Sequence, residues 1–178
     1  MASSKRSTAR AKSSATTSRA PKETWTSSRT RSTSSTTSTV VLALGSNLGD
    51  RAYHLHRALD ALRDVVRIVR ASSVIERPAV DAPADSPSFL NLVLIGHTKL
   101  SPMALLDAAL AIEKRLGRTR RGVRNEPRVI DIDVILHGAT RMRTRTLTLP
   151  HPRAHEREFV MAPLREVSES LAAIIRRP

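Results

Sequence analysis

Residues 124–138 read RNEPRVIDIDVILHG, a run of β-branched residues that carries two aspartates one position apart. Valine and isoleucine at this density predict a strand, and side chains alternate along a strand, so Asp131 and Asp133 share one face while Ile130, Ile132 and Val134 take the other. Ionised carboxylates are costly to bury unless positive charge meets them. At roughly 6–7 Å between Cα atoms two residues apart, both groups can approach one oxygen-seeking cation, or two cations about 3.5–4 Å apart. Hard Mg²⁺ prefers a few carboxylates plus substrate phosphates to a cage made wholly of protein. The preceding residues 118–128 hold five arginines (118, 120, 121, 124 and 128) against Glu126, a net +4 suited to a polyphosphate. One reading is therefore a metal-assisted phosphoryl-transfer site. The other is an edge strand with an acidic outer face beside a solvated basic loop, and spacing alone leaves both open.

Outward from this strand, TVVLAL (39–44) predicts a first strand, closed by the turn-forming GSNLGD. In RAYHLHRALDALRDVV, Leu55, Leu59, Leu62 and Val66 recur at helical spacing. Residues 67–75 and 89–95 predict two further strands, separated by a 13-residue stretch containing Pro78, Pro83 and Pro87. A loop of that length inside a domain is more often functional than idle. Ser101 and Pro102 suit a helix start and Gly117 its end, which predicts a second helix over 102–116. The order β-α-β-β-α-β predicts an α+β, ferredoxin-like sandwich with two helices on one face of an antiparallel sheet. An added C-terminal helix is expected near 160–176, and no repeat is evident.

The chain has 178 residues, 40% of them apolar, enough for one core. The absence of cysteine excludes disulfides, zinc-thiolate sites and thiol nucleophiles. No apolar run approaches the roughly 18 residues of a membrane span. Of the net charge of +14, half lies in residues 1–38, which hold eight Lys/Arg against Glu23, 21 Ser/Thr, and Trp25 as almost the only large apolar residue. Such a composition predicts a disordered basic tail over 1–38 and a folded domain over 39–178. Three readings of the tail remain open: an organelle transit peptide, a disordered basic arm, or upstream sequence read from a misplaced start, the next Met being Met103.

The blocks ALGSNLGDR, FLN, GRTRRGVRNEPRVIDIDVILHG and LPHPRAHEREFVMAPL, in this order, resemble the 6-hydroxymethyl-7,8-dihydropterin pyrophosphokinase family of the folate pathway over about residues 40–166. The resemblance implies transfer of the β,γ-diphosphate of ATP to the hydroxymethyl group of a reduced pterin, release of AMP, and two Mg²⁺ ions in a ferredoxin-like fold. It implies that Asp131 and Asp133 hold the metals, with Asp131 also close to the pterin. Arg118 and Arg128 match arginines that align and neutralise the transferring phosphates. Arg120, Arg124, His151 and Arg157 match nucleotide contacts, Glu113 an acid near the nucleotide, and Val134 and Thr148 positions lining its base or ribose. Asn91 matches an amide that reads the pterin edge, Phe89 and Phe159 the aromatics around that ring, and Pro78 and Val80 walls of its pocket.

The two phenylalanines are the only ones in the chain, and a flat heterocycle stacks well between two rings; the alternative for Phe89 is the core of a buried strand. His151 and His155 have an H-x₃-H spacing, but without Cys, H-E-x-x-H or a third ligand zinc is not expected, and His155 reads as a surface or capping residue. No G-x-x-x-x-G-K-[ST] occurs, so ATP would be held without a P-loop. Asn125-Glu126 stands where many members have Trp-Gly, Arg77 where a smaller hydroxyl residue is common, and Thr146 where a further arginine can help. The competing classes are a basic RNA-binding domain, disfavoured for the core by four aromatics in total and no RNP-like run, and a metal-dependent phosphohydrolase using the same acids. The tail leaves room for nonspecific nucleic-acid contact. The expectation is a cytoplasmic monomer with no membrane contact, organelle import being the alternative that the tail leaves.

Overall fold

The computed structural model describes residues 37–79, 86–119 and 126–176. Most of the expected tail, as well as Val80, Arg120 and Arg124, lies outside the described residues.

Five strands form one antiparallel sheet. β1 (Ser38–Ser46) lies between β4 (Phe89–Thr98) and β5 (Asp131–His137), and β2 (Arg67–Ala71) and β3 (Ile75–Arg77) both pair with β4. With α1 (Arg51–Leu62) after β1 and α2 (Pro102–Arg115) after β4, this is the ferredoxin-like order. The single strand expected over 67–75 is two, interrupted from Ser72. There the Ser72 amide donates to the Val93 carbonyl at 2.9 Å while its hydroxyl accepts from the Val93 amide at 3.0 Å, so a side chain replaces a backbone carbonyl in the ladder. A small hairpin, β6 (Met142–Arg143) with β7 (Thr148–Leu149), had no counterpart in the sequence reading.

Alternation along the strands divides the core. Val40, Leu42 and Leu44 of β1, Leu92 and Leu94 of β4, and Ile132 and Val134 of β5 pack with α1 and α2. The opposite face carries Val41, Val93, Ile95 and Ile135, and these are buried beneath α3 (Glu158–Val167) and α4 (Glu169–Arg176) through Val160, Met161, Leu164, Ala172 and Ile175. The expected C-terminal helix is thus two, broken at Ser168, whose backbone is extended (φ −166°, ψ 100°) and whose hydroxyl accepts from the Leu171 amide at 3.3 Å. Each such aliphatic side chain, fully buried, contributes roughly 1.5–3 kcal/mol before entropy is subtracted. The sheet face that a ferredoxin-like RNA reader would present is therefore largely covered.

The covering stops short of one end of the sheet. There Gly45 stands opposite Asn91 on one side and Asp131 on the other, and Ala43 opposite Val93 and Asp133. Small residues on the central strand, flanked by polar ones, leave a recess floored by backbone. At the other end the sheet packs tightly: a Cβ on Gly96 would lie 2.4 Å from Val66 Cγ1 and 2.9 Å from the Arg67 carbonyl oxygen. Gly96→Ala is expected to cost about 2 kcal/mol, in the range of overpacked cores, read as a lower urea midpoint with an unchanged m-value.

Candidate active site

The recess is a cavity of about 630 Å³. Asp131 and Asp133 both line it, on the same face of β5 and turned away from the α1–α2 core. Each acid is met by guanidinium groups. Arg118 pairs with Asp131 and, at 2.6 Å, with Glu113; Arg128 lies 3.2 Å from Asp131, and Arg157 lies 3.1 Å from Asp133.

The end of α2 delivers Arg118. Ser101 caps the start of that helix by accepting from the Ala104 amide at 3.3 Å. At the far end Gly117 adopts φ +98°, the Gly117 amide donates to Lys114 O at 3.1 Å, and the Arg118 amide donates to Glu113 O at 3.0 Å. This is a Schellman termination, and it folds residue 118 back beside Glu113. Glu113, 2% exposed, also accepts from the Ile132 amide at 2.8 Å, between the two aspartates. A single buried carboxylate thereby ties α2 to β5 and orients Arg118 toward Asp131. Burial pulls the Arg118 pKa down, but Asp131 and Glu113 outweigh it and hold the guanidinium above its ordinary value.

The aromatic residues take the sides of the cavity. Phe89, at the start of β4, has the Arg128 guanidinium over its ring at 5.4 Å from the centroid. Phe159, in the first turn of α3, has Arg157 over its ring at 5.6 Å. Each cation thus lies near both an acid and a ring face, and both rings line the cavity together with Gly45 and Asn91.

The family model described as 7,8-dihydro-6-hydroxymethylpterin-pyrophosphokinase matches residues 41–169. The chain belongs to this family. It is 40% identical over 132 residues to the 2-amino-4-hydroxy-6-hydroxymethyldihydropteridine pyrophosphokinase of Bacillus subtilis, covering 73% of this chain and 78% of that one. It is 46% identical over 132 residues to the mitochondrial folate synthesis bifunctional protein of Pisum sativum, covering 72% of this chain but only 25% of the relative. The chain therefore spans about a quarter of that larger protein. Among solved structures, wild-type Plasmodium falciparum HPPK-DHPS is similar with a TM-score of 0.58 at 13% identity, over 79% of this chain and 44% of that one, a likeness of fold.

Of the residues matched to the pyrophosphokinase pattern, Asp131, Asp133, Arg118, Arg128 and Arg157 line the one cavity, as do Pro78, Phe89, Asn91 and Phe159. Glu113 lies directly behind Arg118. Val80, Arg120 and Arg124 lie outside the described residues. The Val134 side chain is 3% exposed and packs in the α1–α2 core, on the face opposite the acids, as alternation requires. Thr148 and His151 do not line the cavity. The His151 ring is pushed down to about 4 by burial and then by Arg157, so it is neutral at pH 7, and its Nδ1 accepts from the Arg153 amide at 3.3 Å. His155 is exposed beside Glu156, as its surface reading has it.

The sequence reading missed the rim. Arg153, Glu156 and Glu158 line the cavity, and only their membership of one block, RAHEREF, hinted at it. Arg77, singled out as a departure, also lines the cavity and stands opposite Phe89 in the register.

Burial, then repulsion from Asp131, pushes the Asp133 carboxyl up to about 6, against the pull of Arg157 and Arg128. In the unfolded chain the group titrates near its ordinary value of about 3.9, so between these values the folded state holds more protons. Stability from this group is full below about pH 4 and lost as pH rises through about 6. In metal-free protein, Asp133→Asn is expected to remove that decline, seen as a flatter urea-midpoint profile between pH 4 and 7.

Proposed function

We propose that this chain transfers the β,γ-diphosphate of ATP to the hydroxymethyl group of 6-hydroxymethyl-7,8-dihydropterin, releasing AMP, in folate biosynthesis. The observation that carries the reading is the convergence of the acid pair, three guanidinium groups and two phenyl rings on one cavity in a chain of the pyrophosphokinase family. A pterin suits the cavity that Phe89 and Phe159 line, where the Asn91 amide, 6% exposed, offers both a donor and an acceptor to a heterocycle edge.

Among the described residues no group of three or more His, Cys, Asp or Glu is placed to hold a metal ion. The donors fit a hard cation that completes its shell with phosphate oxygens, so Asp131 and Asp133 would hold Mg²⁺, two ions in this reading. When bound, Mg²⁺ supplies charge neutralisation and alignment of the phosphate chain. Arg118, Arg128 and Arg157, which pair with the two acids, are the cations available to a polyphosphate. Arg118 and Arg128 stabilise charge on the bridging oxygen as it leaves with AMP. The hydroxymethyl oxygen bonds to the β-phosphorus as the bond from β-phosphorus to that bridging oxygen breaks, and the hydroxyl proton passes to solvent. Little covalent chemistry falls to the protein, and positioning dominates.

The reading extends to a cytoplasmic monomer with small-molecule substrates. Import into an organelle is the alternative, favoured by the mitochondrial naming of the Pisum sativum relative. No helix among the described residues is long and apolar enough to cross a membrane.

Purified protein given ATP, Mg²⁺ and the pterin is expected to form AMP only when the pterin is present. Nucleotide hydrolysis that ignores the pterin would instead identify a phosphohydrolase. Asp131→Asn is expected to lower kcat at least a hundredfold, about 2.7 kcal/mol of barrier, with its thermal midpoint retained.

A further inference from the structure

The loop GSNLGD places one buried side chain between the segments that enter β4 and β5. Asn47, 2% exposed, follows the last residue of β1. Its Oδ1 accepts from the Arg128 amide at 2.8 Å, and its Nδ2 donates to the Pro87 carbonyl at 3.1 Å. Its own amide also donates to the Arg128 carbonyl at 3.2 Å. Pro87 lies two residues before Phe89 and Arg128 three before Asp131. Asn47 therefore grips the segment entering β4, which carries the ring on the pterin side, and the segment entering β5, which carries the guanidinium on the phosphate side.

The chemistry singles out asparagine. One contact needs an acceptor for an N–H and the other a donor for a C=O, a short branch apart, and a carboxamide supplies both from one rigid plane. Aspartate keeps the acceptor but sets an oxygen against the Pro87 carbonyl. A side chain without polar atoms supplies neither and leaves these part-buried backbone groups without that partner. The Pro87 side is braced a second time, since Arg51 Nη1 donates to the Ser88 carbonyl at 2.8 Å and pairs with Glu76 at 2.6 Å. The described residues show no comparable side-chain brace on the Arg128 backbone.

We propose that Asn47 is a positioning residue that sets Phe89 and Arg128 relative to each other, so that the pterin and phosphate subsites are held in one register by a single carboxamide. This rests on the reaction proposed above, and the two stand or fall separately in the following experiment. Asn47→Asp and Asn47→Leu are compared with wild type in steady-state kinetics, with amide hydrogen exchange of Arg128 measured in the ligand-free protein. Asn47→Asp is expected to raise KM for the pterin at least tenfold while KM for ATP and kcat stay within threefold, and to keep the Arg128 amide protected. Asn47→Leu is expected to raise both KM values, lower kcat at least tenfold and lose that protection. Kinetic constants within twofold of wild type in Asn47→Leu overturn the proposal. So does a fall in kcat alone, equal in both variants, since that reports only fewer folded molecules. If wild type forms no AMP, the assigned reaction fails; the clamp is then judged by exchange, and an Arg128 amide equally protected in Asn47→Leu overturns it.

Discussion

Two carboxylates on one face of β5 must be met by positive charge, and much of the molecule is arranged around that requirement. Carboxylates inside a walled cavity are stable only with cations in contact. The chain supplies these from three directions: the end of α2 (Arg118), the segment before β5 (Arg128) and the residue preceding α3 (Arg157). Each cation is placed by something other than the acid it meets. Arg118 follows from a helix termination, Arg128 from a backbone held by Asn47, and Arg157 from the start of a helix seated on Val93 and Ile95. The site is the point at which three independently folded segments are made electrically consistent.

The sheet is divided as a result. On the face that carries the acids, β4 and β5 are apolar under α3 and α4 (Val93, Ile95, Ile135) and carry Asn91, Asp131 and Asp133 beyond them, while β1 carries Ala43 and Gly45 there. Ala43, Gly45 and Asn91 line the cavity there together with Phe89 and Phe159. The cavity is what remains when helices cover only part of a strongly alternating sheet.

How much of this was legible in the sequence depends on the range of the interaction. Alternation in VIDIDVIL showed the shared face of Asp131 and Asp133 and the opposite placing of Val134, because strand period is a local property. Helix α2 was readable from Ser101, Pro102 and Gly117, for the same local reason. The interruption at Ser72 was not, since it depends on a hydroxyl reaching a partner strand 21 residues away. The break at Ser168 did carry a local signal that the sequence reading passed over, a serine whose hydroxyl caps α4 by accepting from the Leu171 amide. Asn47 stood within a quoted block, yet read locally it is a turn former. Its partners, 40 and 81 residues distant in sequence, exist only once the sheet has formed.

The outer margin of β5 has a consequence beyond the cavity. A strand at the border of a sheet offers unpaired amides and carbonyls as a template for foreign chains. Here the Glu113 carboxylate takes the Ile132 amide, and the His151 amide takes the Ile135 carbonyl at 2.9 Å. The same glutamate that orients an arginine thus also shields this border from β-sheet accretion, so a substitution at 113 threatens colloidal behaviour along with turnover, and the two losses would arrive together.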